Sequence, residues 1–269
     1  MLPKPSDWVT FYANVKRKVN LDLDLYKANQ LQRRIVSMAE QKECKNLDQF
    51  WTWISLSPAN MEWFLDRLAI NVSELFRNPE KWREMEAKIL PELLKKSSRL
   101  KIWSAGCSYG AEAHTLAAIL DHKFSGSHKI VGTDIDTAAL NQAKAGTFGP
   151  TDFKAVPKEY AQYFHAKGSD YTADPRLKRY LEFRKGNLLA DRFDTGFDLI
   201  MCRNVVIYFT EEAKADLYKK FFQALKPGGI LFVGSTERIF KADEIGYQTV
   251  LPFYYQKPLL GEKSWRNAS

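Results

Sequence analysis

Between about residues 6 and 90, apolar positions recur at the three-and-four spacing of helices: Trp8, Phe11, Tyr12, Val15 and Val19, then Leu31, Ile35 and Met38, then Phe50, Trp53 and Ile54, then Phe64, Leu65 and Leu68. Strand-like alternation is absent, so this region predicts several short helices. Ser57-Pro58 and Asn78-Pro79 read as helix starts, with proline early in the helix where its missing N–H costs nothing. The stretch YKANQLQRRIVSMAEQKECK, residues 26–45, reads as one helix. Leu31, Ile35 and Met38 form its packed stripe. Lys27 and Arg34 share the opposite face, with Arg33 beside them.

After Ser97-Ser98 the pattern changes to short apolar runs separated by helical stretches: LKIWSAG, a helix over 110–122, KIVGTDI, a helix over 137–145, YLEFRKGN, FDLIMCRN, a helix over 211–225, and GGILFVG. This alternation predicts an α/β fold with a parallel, doubly wound sheet. LPFYYQKP reads as one more strand at the sheet edge. Residues 148–175 are polar-aromatic and poorly periodic, which leaves an irregular loop or an inserted subdomain open. The expected organisation is a small all-helical domain over residues 1–90 and a sheet domain over 91–269.

Composition narrows the class. A chain of 269 residues with 45% hydrophobic content can bury a substantial core in one large or two unequal domains. There is no secretory apolar segment at the start and no apolar run near the ~18 residues that span a bilayer. A protein without membrane insertion is expected. Cys44, Cys107 and Cys202 are far apart and in no metal-ligand spacing, which fits a reducing cytoplasm and no metal. The net charge of +8 favours an acidic partner, without choosing among nucleic acid, membrane surface and acidic protein.

The candidate chemistry falls at predicted strand ends. SAGCSYGAEAHTLA, residues 104–117, places Gly106 and Gly110 where a strand gives way to a helix, either to approach a ligand or simply to turn. It is not the G-x-G-x-x-G of dinucleotide binders. GTDID, residues 132–136, offers Asp134 to a ribose diol or to a turn, and Asp136 as the N-cap of the next helix. Combined, the loop and Asp134 point to an adenosine-containing cofactor. Asn187 in GNLL and Asn204 in CRNVVIYF each present an amide that both donates and accepts, suited to an adenine edge or to a turn.

With LAINVSELFRNPEKW, residues 68–82, ahead of the first strand, the ordered series N-x-[ST]-x-x-F-R, GCS-x-G-x-E, GTDID, NLL and CRNV-x-IYF resembles the CheR family of chemoreceptor glutamate methyltransferases over about residues 6 to 257. The resemblance implies a Rossmann-like S-adenosylmethionine-dependent sheet domain with a reversed last strand behind a helical domain. It implies methyl transfer to glutamates on the acidic cytoplasmic helices of methyl-accepting chemoreceptors, leaving S-adenosylhomocysteine. It places Asn71, Ser73 and Arg77 at the methionine end of the cofactor and Glu112 near its amino group. Asp134 falls on the ribose, Asn187-Leu188 and Asn204-Val205 fall around adenine and reaction centre, and Tyr208 beside the transferring methyl. Arg77 and Tyr208 are the candidate catalytic pair; Lys27, Arg33 and Arg34 are the candidate docking cations. The family loop GCSTGEEPYS reads here GCSYGAEAHT, so Tyr109, Ala111, Ala113 and His114 depart from it while Glu112 is retained.

A glutamate nucleophile is already ionised at neutral pH and needs no general base. The four histidines, His114, His122, His128 and His165, accordingly form no triad or metal set. Nucleic-acid methylation is the competing enzyme reading; RNVVIY lacks the prolines often found at that place, and no basic run with interleaved aromatics marks a nucleic-acid path. A cofactor-binding protein without catalysis is the other alternative, supported by the altered loop. A monomer is expected.

Overall fold

The computed structural model describes residues 3–69 and 73–259. The helical region consists of α1 (Pro5–Val19), α2 (Ala28–Gln41), α3 (Leu47–Ser55) and α4 (Pro58–Leu68). Its starts are chemically marked: Asn46 Oδ1 accepts from Gln49 N at 2.9 Å, and Ser57 Oγ from Asn60 N at 3.1 Å ahead of Pro58. Phe11, Phe50 and Phe64 meet at its centre with every pair of rings 6.0 Å apart, and each is at most 2% exposed. Burying such a ring stabilises by about 1.5–3 kcal/mol. Helix α2 is shorter than the periodicity suggests. Lys27 stands at its N-cap in extended conformation, outside the helical face, and Glu43 adopts a left-handed φ of 56° just past its end.

Beyond the helices, α5 (Pro79–Glu84), a π turn (Met85–Ile89) and α6 (Leu90–Lys96) run together. Their apolar side chains, among them Trp82, Met85 and Leu90, pack with the sheet rather than with the helical core. By packing, the change of core falls before Leu75 instead of near residue 90.

The sheet strands are β1 (Lys101–Ala105), β2 (Lys129–Asp134), β6 (Leu181–Lys185), β7 (Phe197–Cys202), β8 (Leu225–Val233), β9 (Gln248–Leu251) and β10 (Tyr254–Gln256), in the order β6-β2-β1-β7-β8-β10-β9. Helices α7 (Ala111–Lys123), α8 (Thr137–Ala145) and α9 (Glu211–Ala224) alternate with them, and α10 (Ala242–Ile245) precedes β9. The five strands from β6 to β8 are parallel, and β10 runs antiparallel to β8. Strand β1 is buried on both faces: Ile102 enters one core and Trp103 the other, as expected of a central parallel strand.

One expectation changes and one open alternative is decided. LPFYYQKP is not one strand: the chain turns at Phe253, with φ 74°, to pair β9 with β10 as a hairpin. Of the two alternatives for residues 148–175, the inserted subdomain is the one that forms. With Thr147, these residues build a second, three-stranded antiparallel sheet from β3 (Thr147–Phe148), β4 (Phe164–Lys167) and β5 (Asp170–Ala173), ordered β3-β5-β4. Its strands are too short for a period to register in the sequence.

Candidate active site

Strands β1 and β2 are parallel neighbours, with Ala105 opposite Thr133, so the loops that follow them open at the same edge. Gly106 and Cys107 both donate to the Thr133 carbonyl at 2.9 Å, which ties the first loop to the second strand. Gly106 has φ 74°, and a Cβ there would stand 2.6 Å from Val205 Cγ2. Only glycine lets the loop pass beneath that turn.

Asp134 Oδ2 accepts from Ser108 N at 2.7 Å and its Oδ1 from Asp136 N at 3.0 Å. Burial raises its carboxyl above the ordinary range, while these peptide donors pull the other way. The carboxylate still has acceptor capacity toward the cleft that it lines. Asp136 caps α8, accepting from Ala138 N and Ala139 N at 2.8 and 3.2 Å.

Glu112, in the first turn of α7, accepts from Ser104 Oγ at 2.7 Å and lies 3.5 Å from Arg203 Nη1. Burial raises its carboxyl, and Arg203 and Ser104 oppose that. Arg203 also donates to the Arg77 carbonyl and to Asn78 Oδ1, both at 3.0 Å. Glu237, 4% exposed, accepts from the N–H groups of Asn204 at 2.5 Å, Gly234 at 2.8 Å and Val206 at 3.1 Å. It fixes the turn after β7, where Asn204 takes a left-handed φ of 60°.

The altered loop positions face away from the cleft. Tyr109 donates its hydroxyl to the Ser73 carbonyl, with Asp152 Oδ1 3.1 Å from the same hydroxyl oxygen, joining the glycine loop to the segment before α5 and to the turn after β3. His114 is buried, with Nδ1 2.9 Å from Gly110 O and its ring stacked on Phe183. Burial pushes its pKa down to about 4, so it is neutral at physiological pH. Ala111 and Ala113 are fully buried, and none of the four substituted positions lines the cleft.

Except for Gly110, which turns the chain into α7, every described residue that the sequence singled out for the site lines one cleft of about 420 Å³. Asn71 lies outside the described residues. Ser73 and Arg77 stand on the wall before α5, and Leu188 and Val205 provide apolar wall. Of the two readings of Asn187, an adenine edge or a turn, its hydrogen bonds are those of a turn: its Nδ2 donates to the Asn20 carbonyl at 2.8 Å and its Oδ1 accepts from Leu189 N at 3.0 Å. That side chain braces the loop after β6 against the helical region. Tyr208 sits in a 3-10 turn, with its phenol raised by burial and drawn back by the charges of Arg34 and Arg77.

The sequence assigns the docking cations to the helical domain, and the fold brings them to the sheet domain's cleft. Lys27, Arg33 and Arg34 line the same cleft. Lys27 N donates to the Tyr208 carbonyl and Thr210 N to the Leu25 carbonyl, both at 2.9 Å, and Tyr26 packs edge-on against Phe209 at 5.1 Å. The connector into α2 is thus hydrogen-bonded to the Tyr208 turn. Arg34 is half-buried and donates to the Leu68 carbonyl at 2.8 Å, whereas Arg33 is exposed. Arg203 and Glu237 were missed by the sequence reading. Arg203 lies inside the quoted CRNV run but shows no period or spacing of its own, and Glu237 follows the last parallel strand with no local signal. Among the described residues, no group of three or more His, Cys, Asp or Glu is placed to hold a metal ion.

A doubly wound sheet with one reversed strand, a glycine loop after β1 and a buried carboxylate after β2 is the architecture of an S-adenosylmethionine-dependent methyltransferase. A family model described as CheR methyltransferase, SAM binding domain, matches residues 71–251, and one described as CheR methyltransferase, all-alpha domain, matches residues 6–69. The chain belongs to the CheR methyltransferase family. It is 37% identical over 254 residues to the chemotaxis protein methyltransferase of Listeria monocytogenes, covering 93% of this chain and 97% of that protein. Against the chemotaxis protein methyltransferase of Listeria innocua the identity is 36%, with the same shares of 93% and 97%. Against chemotaxis protein methyltransferase 1 of Pseudomonas aeruginosa it is 31% over 251 residues, 87% of this chain and 90% of that protein.

The cleft fits the cofactor of that family. Its volume is in the range of small-molecule sites. One wall presents two carboxylates, Asp134 and Glu112, the acceptors that the hydroxyls of a ribose diol and an α-ammonium require.

Proposed function

We propose that the protein transfers the methyl group of S-adenosylmethionine to glutamate side chains of cytoplasmic chemoreceptor domains, forming methyl esters. The observation that carries this reading is the meeting of two walls in one cleft: buried carboxylates on the sheet side, and Arg77, Arg34 and Tyr208 on the side toward the helices. An anionic acceptor is what that second wall attracts. The relatives are chemotaxis protein methyltransferases, which supports the same reading, and a chemoreceptor's methyl-accepting segment and S-adenosylmethionine are both cytoplasmic.

In this reading Asp134 accepts from the ribose diol, Glu112 faces the amino group, and Ser73 and Arg77 border the methionine end. Leu188, Asn204 and Val205 border the adenine and the reacting centre, with Asn187 bracing their loop. The cofactor supplies an electrophilic methyl on a sulfonium. A glutamate acceptor is ionised without help, so the protein's part is to place it in line and exclude water. Arg34, Arg77 and Tyr208 orient the carboxylate; Lys27 and Arg33 draw in the acidic receptor helix. The substituted loop positions are not in the cleft, which removes the support for a non-catalytic protein.

Incubation of the purified protein with methyl-labelled S-adenosylmethionine and the host's membrane receptors tests the proposal. Base-labile label on receptor, released as methanol, is the expected result. Label on nucleic acid, or cofactor binding with no transfer to receptor, would overturn it.

A further inference from the structure

We infer that Arg203 is a positioning residue of the methyl-transfer site, which keeps Glu112 a carboxylate toward the cofactor's amino group and closes the Arg77–Asn78 turn over the methionine end. The inference rests on the reading that Glu112 meets that amino group.

Arg203 follows directly on β7, lines the cleft, and has a side chain only 5% exposed. Its Nη2 donates to two acceptors of the Arg77–Asn78 turn at 3.0 Å, and its Nη1 stands 3.5 Å from Glu112 Oε2. The guanidinium lies 4.9 Å from the Phe232 ring and 5.5 Å from the Trp82 ring. Its Nε has no hydrogen-bond partner among the described residues. A slot between two aromatic rings would accept an apolar side chain, and a buried cation with an unmet donor is a costly way to fill it. The charge itself, aimed at Glu112, gives the arginine a purpose that packing does not.

The groups around Glu112 come from several elements. Ser104 offers its hydroxyl from β1, Arg203 its cation from the end of β7, and Arg77 its field from the segment before α5. Cys107 of the glycine loop and Cys202 of β7 also face it; burial pushes both thiols well up, so they stay neutral. The two arginines are therefore the cations that oppose the burial of Glu112, and Arg203 is the stronger. Without Arg203 the Glu112 carboxyl rises further and takes up a proton at higher pH. Only the ionised form pairs with an ammonium, so affinity is lost as pH falls, and the loss begins earlier.

Calorimetric titration of the full chain with S-adenosylhomocysteine, between about pH 5.5 and about pH 7.5, reads this directly. Arg203→Met should lose roughly fivefold more affinity across that interval than the wild type does. Arg203→Lys, which keeps the cation but not the fork, should bind more weakly at every pH with a profile parallel to the wild type. A folded Arg203→Met whose profile parallels the wild type would overturn the inference; if that variant does not fold, Arg203→Gln is judged by the same profile. Glu112→Gln separates the two layers. Weak, pH-independent binding is expected, whereas affinity equal to the wild type would remove Glu112 from the amino group and with it the underlying reading.

Discussion

The two walls of the cleft are built in opposite ways. On the sheet side, Asp134 and Glu237 accept backbone N–H bonds of 2.5–3.1 Å, and Glu112 accepts from Ser104 at 2.7 Å, all within a buried edge. On the helical side, long cations project from α2 and its N-cap, and Arg33 donates to the Asn29 carbonyl of its own helix at 3.0 Å. A wall of backbone bonds is set before ligand arrives and suits one fixed cofactor. A wall of flexible cations adapts to an acidic surface and acts mainly through charge, with rates that fall as salt screens it.

The sharpest way to break the first wall is Glu237→Ala. Removing one buried carboxylate leaves three peptide donors without their acceptor, so a loss of about 3 kcal/mol or more in stability is expected. Urea unfolding measures it, and a change below about 1 kcal/mol would mean that the turn after β7 is held by something else.

Asp134→Ala should leave the fold intact and weaken S-adenosylmethionine binding by about 1.5–3 kcal/mol, the scale for losing a charged hydrogen-bond partner. Calorimetry with an unchanged dissociation constant would detach Asp134 from the cofactor. Next in size is Tyr208→Phe, at the junction of the walls. Turnover should fall roughly tenfold, and cofactor affinity much less, if the hydroxyl acts only at the reacting centre. Equal losses in both would assign it to binding.

The smallest effects separate the cations of the second wall. Arg33→Ala should lower receptor kcat/KM by about 0.2–1 kcal/mol, vanish at high salt and leave cofactor affinity alone, as for an exposed ion pair. Arg34→Ala should cost more and persist in salt, because Arg34 is half-buried and its charge reaches Tyr208. Identical salt-sensitive losses for the two would erase the distinction between docking and orienting.

Much of this was legible in the residues. The helical spacing of Phe11, Phe50 and Phe64, the apolar runs of β1, β2 and β7, and the Asp136 cap depend on neighbours close in sequence, where period and capping chemistry speak directly. The polar positions at strand ends were legible for a related reason: a parallel sheet delivers every such end to one edge, so order along the chain predicts convergence.

What only the tertiary structure decided involves partners far apart in sequence. Nothing local shows that Tyr109 meets Ser73 and Asp152, that Asn187 reaches Asn20, or that Glu237 holds Asn204. The short strands of the inserted sheet carry no readable period, and their pairing exists only between segments. Likewise Lys27, Arg33 and Arg34 reach the cleft because the connector before α2 bridges to the Tyr208 turn, a contact between residues far apart in sequence. Sequence determines which groups are present and which element carries them; burial, which raises the Glu112 carboxyl and lowers the His114 imidazole, and proximity, which makes Arg203 a partner, arise only when distant segments pack.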